Sequence, residues 1–334
     1  MLRLAIWAFL ALTLCFSGCT SSGKVNDDSK TANDVLFVYS ELDKDFTSNL
    51  LELFNKDNSS KTRLQAVFAI EDGGKRPVLI LAEQKSLYKL KQAGLLKPAY
   101  FPAGDRLPKD FRDSDFYWYG VFYDPAVFLV NQRYARNVGQ AHLNGWTDLE
   151  RLENIRIALE NLTDSSSTQN FLAALSDHMG ETAALNYLLH LNRFIGQYSK
   201  FPFTPVRMTA VGDADLAITR QSYVFKYLEN KFPAYVVVPR EGTPVNLFGV
   251  AMLGGQDDET VALRFMEWLL NSDKVQAVAQ ADETGYMFLF PAGISETVVG
   301  ADKLWLNKSY LTDEAQEQLT AKWLEKVRFG SQNR

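Results

Sequence analysis

The chain has 334 residues, 46% of them apolar and 22% charged. That is enough for two ordinary domains, without the biases of collagen, disordered or multi-span membrane chains. Its formal charge of −5 gains nothing from the attraction that draws basic proteins to polyanions, so nucleic acid and anionic membrane surfaces are poor partners.

The amino terminus reads Met1-Leu2-Arg3, an apolar run from Leu4 to Leu14, then Phe16-Ser17-Gly18-Cys19. One cation, a short apolar stretch and small residues predict a secretory signal over 1–18. The run is shorter than the ~20 residues that span a bilayer, and polar Thr20, Ser21 and Ser22 follow at once. The ending resembles a bacterial lipoprotein box, which implies that Cys19 is lipidated and that several acyl chains hold the protein on a membrane. Cleavage by an ordinary signal peptidase is the alternative. Both cysteines, Cys15 and Cys19, fall here, so no disulfide framework, thiol nucleophile or thiolate metal site is expected further on. Residues 19–33 are rich in Ser, Asp, Asn and Lys without an apolar period, which predicts a solvated tether.

Structure is predicted to begin with the apolar strand Val35 to Tyr39, followed by Ser40-Glu41 and a helix with Phe46, Leu50 and Phe54 on one face. A second strand, Val78 to Leu81, leads into a helix carrying Leu87, Leu90 and Lys91 that ends at Gly94. Alternating buried strands and amphipathic helices predict an α/β fold on parallel sheets with helices on both faces. The aromatic run Phe116 to Tyr123 reads as core packing rather than a stacking wall. A helix start at Gly145 to Leu149 and a strand at Ile155 to Ala158 come next.

Ser165, Ser166, Ser167 and Thr168 then precede a helix predicted over Asn170 to Ser176. One hydroxyl suffices for an N-cap; four together offer donors to an anion, and both readings stay open. A second helix runs from Glu181 to Phe194. His142, His178 and His190 lack metal-ligand spacing.

The stretch Val211 to Tyr227 reads as a polar turn, a short apolar strand, a polar loop and the start of an aromatic helix. It places Thr219, Arg220, Ser222 and Tyr223 at a strand's carboxyl end, where ligands bind in open α/β sheets. A strand at Ala234 to Val238, an interruption over Pro239 to Pro244, and a strand at Gly249 to Leu253 follow. Asp257, Asp258 and Glu259 suit the start of a helix whose Ala262, Phe265, Met266, Leu269 and Leu270 face the core.

Several segments in this order resemble the solute-binding proteins of ABC importers, in particular the two-lobed ferric-iron-binding and related class. They are Val38-Tyr39-Ser40, Gly94 to Pro98, Val130-Asn131, Trp146 to Leu149, Val211 to Asp215, Val238 to Thr243, Gly249-Val250-Ala251 and Phe265 to Ser272, and together they reach from Val35 to Pro291. The resemblance implies two lobes, each a mostly parallel sheet flanked by helices, joined by a strand hinge. One holds 34–123 and 242–291, the other 124–241 and 292–330. It implies a ligand in the cleft between them, contacted by Ser40 and Glu41, by Ser165 to Thr168, and by Thr219, Arg220, Ser222 and Tyr223. Iron-binding members carry two adjacent tyrosines after the Gly-acid-Ala-Asp segment; here Tyr223 stands singly, with Tyr227 one turn on. Arg220 and the serine run suit an anion such as a sugar phosphate or phosphonate, and ferric iron with an anion, held by Tyr223 and Tyr227, is the other reading.

The expected function is that of an extracytoplasmic binding lipoprotein, monomeric, that feeds a membrane permease and its ATPase. A sensor of the same fold that reports to a membrane receptor is the alternative. An enzyme is disfavoured: there is no Gly-x-Ser-x-Gly, Gly-x-x-x-x-Gly-Lys or Gly-x-Gly-x-x-Gly motif and no zinc motif. No cofactor is expected; iron enters only as cargo.

Overall fold

The computed structural model describes residues 34–69, 75–137, 143–228, 232–254, 259–281, 285–290 and 301–330. The signal segment, Cys19, the tether, His142, Asp257, Asp258 and the side chain of Tyr227 lie outside the described residues.

The chain begins with β1 (Val35–Ser40), α1 (Lys44–Asp57), β2 (Arg63–Val67), β3 (Pro77–Glu83), α2 (Gln84–Gln92) and β4 (Leu96–Lys97). It continues through β5 (Trp118–Asn131), α3 (Gln132–Asn137), α4 (Trp146–Leu149), β6 (Ile157–Glu160), α5 (Ser166–Met179) and α6 (Glu181–Asn192). Then come β7 (Tyr198–Ser199), α7 (Phe203–Val211), β8 (Leu216–Arg220), α8 (Gln221–Leu228) and β9 (Ala234–Val237). The last elements are β10 (Thr243–Leu253), α9 (Thr260–Asn271), α10 (Asp273–Ala281), β11 (Met287–Phe288), β12 (Leu304–Trp305) and α11 (Asp313–Trp323).

Strands neighbour one another in the order β2-β1-β3-β10-β5-β8-β6-β7. The two flanks are parallel: β1 with β2 and β3, and β6 with β7 and β8. Between them β5 and β10 run antiparallel to each other, to β3 and to β8. The expected parallel sheets are thus confined to the flanks, and two long strands traverse the middle. The first half of β5 pairs β10 at Phe248 to Ala251, and its second half pairs β8 from Ala126 to Val130.

Burial explains the apolar runs. Val78 to Ala82 of β3 are all buried, as a strand covered on both faces requires. Beyond Pro125, β5 sends Phe128 and Val130 into one apolar cluster and Val127 and Leu129 into another, following the two-residue period of a strand. A separate cluster gathers β1, β3, α1, α9 and the first half of β5, including Trp118, Tyr119 and Phe122 from the aromatic run. In α9 the side chains of Phe265, Met266, Leu269 and Leu270 are fully buried, each contributing about 1.5–3 kcal/mol.

Three local expectations change. Helix α5 begins at Ser166, four residues before the expected Asn170, because Ser165 and Thr168 form a reciprocal capping box. Val211-Gly212-Asp213 is the end of α7 rather than a free turn: Gly212 adopts φ 90 and its N–H donates to Met208 O. No loop separates β8 from α8, so Thr219 and Arg220 are strand residues and Ser222 and Tyr223 sit in the first turn of a helix.

Candidate functional site

At the carboxyl end of β8, Arg220 lies opposite Ala126 of β5. Its Nη1 is 3.4 Å from Asp124 Oδ2, and its Nη2 is buried without a protein partner. Asp124 is 1% exposed. Its Oδ1 accepts from the N–H of Ser222 at 3.1 Å and its Oδ2 from the Ser222 hydroxyl at 2.6 Å. The Ser222 N–H is one of the orphan donors of a helix start, so Asp124 caps α8 from the neighbouring strand. Burial pushes the Asp124 carboxyl up, against the opposing pull of Arg220 and Ser222. For Arg220, burial works against the charge, but Asp124 leads the carboxylates and phenols that more than restore it.

A cavity of about 40 Å³ opens beside this pair. Its polar wall includes Asp124, Glu160, Ser167, Thr219, Arg220 and Tyr223, and its apolar wall includes Leu159, Leu162, Phe171, Ile218 and Pro244. Glu160 ends β6 at 9% exposure. Its carboxyl is pushed up to about 7, chiefly by burial, with Arg220 and the Ser165 hydroxyl opposing.

Of the four consecutive hydroxyls, Ser165 and Thr168 cap α5, and Ser166 Oγ donates to Glu83 Oε2 at 2.8 Å. Ser167 Oγ is buried, lines the cavity and has no partner. The other oxygen of Glu83 accepts from Asn246 Nδ2 at 3.1 Å, and Asn246 Oδ1 accepts from Asn170 Nδ2 at 2.8 Å. This chain ties β3, β10 and α5 together at the cavity's edge.

The remaining predicted residues fall as follows. Thr219 and Tyr223 line the cavity. Burial pushes the Tyr223 phenol up, with Arg220 opposing, so the phenol is protonated near neutrality; its ring lies 5.0 Å from that of Phe203. Ser40 and Glu41 are not brought to the cavity wall. Ser40 Oγ is 2.8 Å from Thr47 Oγ1 and accepts from Leu42 N, which shapes the start of α1. Glu41 accepts from Glu83 N at 2.8 Å and from Ser86 Oγ at 2.9 Å, which holds the start of α2. Among the described residues no three His, Cys, Asp or Glu side chains group to hold a metal. His178 stacks on Trp305 at 3.7 Å, and His190 Nε2 lies 3.1 Å from Glu150 O.

Sequence reasoning missed Asp124, Glu160, Glu83 and Asn246. An acid at a strand's carboxyl end just before a hydroxyl run was the available signal for Glu160. Asp124 is hidden inside the aromatic strand.

The sequence profile described as bacterial extracellular solute-binding protein matches residues 77–314. An uncharacterized protein of Haemophilus influenzae is 26% identical over 253 residues, 71% of this chain and 72% of that one. Among solved structures, ferric iron-binding protein A of Mannheimia haemolytica in an open conformation is similar with a TM-score of 0.70 at 18% identity, covering 89% of this chain and 99% of that one. The periplasmic binding protein AfuA of Actinobacillus pleuropneumoniae with fructose-6-phosphate bound gives a TM-score of 0.66 at 20% identity, again covering 89% and 99%. At such identities the likeness to these structures is one of fold.

Proposed function

The chain belongs to the bacterial extracellular solute-binding protein family, and on that ground we propose that it captures a compact solute with an anionic group beside Arg220 and passes it to a membrane permease. One observation carries the ligand class: two residues that line the same cavity, Arg220 and Ser167, each carry a buried donor without a protein partner, Nη2 and the hydroxyl. Leaving a buried polar group unsatisfied costs about 1–3 kcal/mol. A guanidinium can only donate, so the missing partner is an acceptor, and a planar charged donor favours carboxylate or phosphate. A space of about 40 Å³ holds roughly three waters; a larger body needs the walls to part.

We assign 34–123 with 242–291 to one lobe and 124–241 with 292–330 to the other. The separation of the β1–β3–α9 apolar cluster from the two on the other flank supports this division, with β5 and β10 as the crossing strands. Lobes joined that way part and close by a hinge, and a ligand favours the closed state through contacts it makes only there. Export and a lipid anchor on Cys19 would keep the protein outside the cytoplasm, where a permease and ATPase would take up the cargo. The relatives include proteins described as binding ferric iron and fructose-6-phosphate. We rank the anion first because the unpartnered groups of the lining residues, Arg220 Nη2 and the Ser167 hydroxyl, are donors, for which a bare cation supplies no acceptor.

The test is a thermal-shift panel on the tether-deleted protein with Fe³⁺, phosphate, sugar phosphates, phosphonates and small carboxylates. A true ligand at a hundredfold its Kd adds about 2.7 kcal/mol of stability, and Arg220→Ala removes the shift. A shift with Fe³⁺ that survives Arg220→Ala and disappears with Tyr223→Phe replaces the anion by the metal. No shift with any solute defeats the transport reading.

A further inference from the structure

The cavity is short of positive charge before any ligand arrives. Among the described residues on its wall, Arg220 is the only cation, against the carboxyls of Asp124 and Glu160. Arg220 is already the counter-ion of Asp124 at 3.4 Å. Glu83 adds a third carboxylate next to the wall, joined to the lining residue Asn246 at 3.1 Å. The groups that face Glu160 offer little relief. Ser165 of its own loop is 3.5 Å away, Asp164 adds negative charge, Tyr223 of α8 is a neutral phenol, and Arg220 of β8 is shared with Asp124.

A plain anion meets Arg220 and Ser167 on one side and, on the other, a Glu160 carboxyl that must either keep its proton or, once ionised, repel it, in a space of about 40 Å³. We infer that the solute is bipolar: its anionic group meets Arg220 Nη2 and the Ser167 hydroxyl, and an ammonium of the same molecule meets Glu160. This deepens the proposed function and rests on the same cavity. The elevated carboxyl of Glu160 fits it, because a buried acid that lacks a cation holds its proton, and a ligand ammonium supplies the cation. The apolar wall of Leu159, Leu162 and Phe171 receives the short carbon link between the two charges.

Calorimetric titration of the tether-deleted protein with matched compounds tests the inference. Phosphoethanolamine is compared with ethyl phosphate, and β-alanine with propionate, so that each pair differs in the ammonium. In at least one pair the zwitterion is expected to bind about tenfold more tightly than its anionic twin, the scale of one charge-assisted contact. Glu160→Gln should bring the twins to within about threefold of each other, and Arg220→Ala should remove binding of both. The inference is overturned if the anion binds as well as the zwitterion, if Glu160→Gln leaves the preference intact, or if neither pair binds. Should ethyl phosphate or a sugar phosphate bind without the ammonium mattering, the bipolar ligand is lost while the anion receptor stands. A blank in both this titration and the thermal-shift panel removes both.

Discussion

Ser222 gives both its backbone N–H and its hydroxyl to the two oxygens of Asp124, at 3.1 and 2.6 Å. The pair fastens the first turn of α8 to β5. With Asp124 held in this way, the guanidinium of Arg220, two residues before Ser222, is drawn back by one nitrogen, and its other terminal nitrogen stays buried without a protein partner. The orientation of the Arg220 guanidinium is therefore decided by a residue on a different strand.

Asp124→Asn tests this arrangement. The amide can still accept from the Ser222 N–H, but its NH₂ faces the Ser222 hydroxyl or Arg220, and a buried guanidinium loses its counter-ion. Breaking a buried pair in this way costs about 3–5 kcal/mol, whereas Ser222→Ala, which removes one hydroxyl contact, should cost about 1 kcal/mol. Denaturant unfolding of the two variants measures both. Equal, small losses would mean that the pair does not hold the strand to the helix.

Glu160 makes stability depend on pH. The folded carboxyl titrates at about 7, the unfolded one near its ordinary 4.5. Between these values the folded state binds more protons than the unfolded, so this contribution is complete below about pH 4.5 and is lost as pH rises through 7. The loss is roughly 2 kcal/mol, less than the full linkage of 1.36 kcal/mol per pKa unit because water still reaches part of the carboxyl. Melting temperatures at pH 5 and pH 8 should differ more for the wild type than for Glu160→Gln, with the wild type less stable at the higher pH. Parallel pH profiles would refute the assignment.

Much of the fold was legible because burial imposes period. The apolar run of β3 and the spacing of Phe46, Leu50 and Phe54 identify their elements directly. Strand β2 escaped notice, since only Leu64 and Val67 of its five residues are buried. The polar segment Gly212 to Asp215 predicts a turn into a strand, and β8 follows it. In the structure Gly212 closes α7, and Asp215 receives the N–H and guanidinium of Arg156, which joins the starts of β6 and β8. Arg220 and Ser167 were reachable from their positions in the chain. Glu160 carried a signal in its place before the hydroxyl run, but Asp124 did not, because which carboxylate meets Arg220 is decided by pairing between strands far apart in sequence.

Gly145 and Glu241 offer a second test of local design. Glu241 Oε1 accepts from the Thr147 N–H and hydroxyl, and its Oε2 from the Trp146 N–H, which caps the short helix α4 from a distant loop. A Cβ on Gly145 would lie 1.8 Å from Glu241 Oε2, so Gly145→Ala displaces that carboxylate. Loss of a cap costs about 0.5–2 kcal/mol. Glu241→Ala should cost a similar amount, and the double variant no more than the larger of the two, because both remove the same contacts. Additive losses in a double-mutant cycle would show that Gly145 matters for another reason.

Ser167→Ala separates folding from binding. The hydroxyl is buried, 7% exposed at the residue level, and has no partner in the protein. Removing an unsatisfied buried hydroxyl takes away a group that was desolvated without compensation, so the unliganded protein should keep its stability or gain slightly. If the ligand's acceptor is the partner of this hydroxyl, the same variant loses about 1–1.5 kcal/mol of binding free energy, close to tenfold in Kd. Ser166→Ala is the control: its hydroxyl already donates to Glu83 at 2.8 Å, so its loss should lower stability while changing affinity less. Unfolding curves and titrations on both variants with the solute found by thermal shift give four numbers. A Ser167→Ala protein that is less stable but binds as well as the wild type would place the hydroxyl in the scaffold rather than at the ligand.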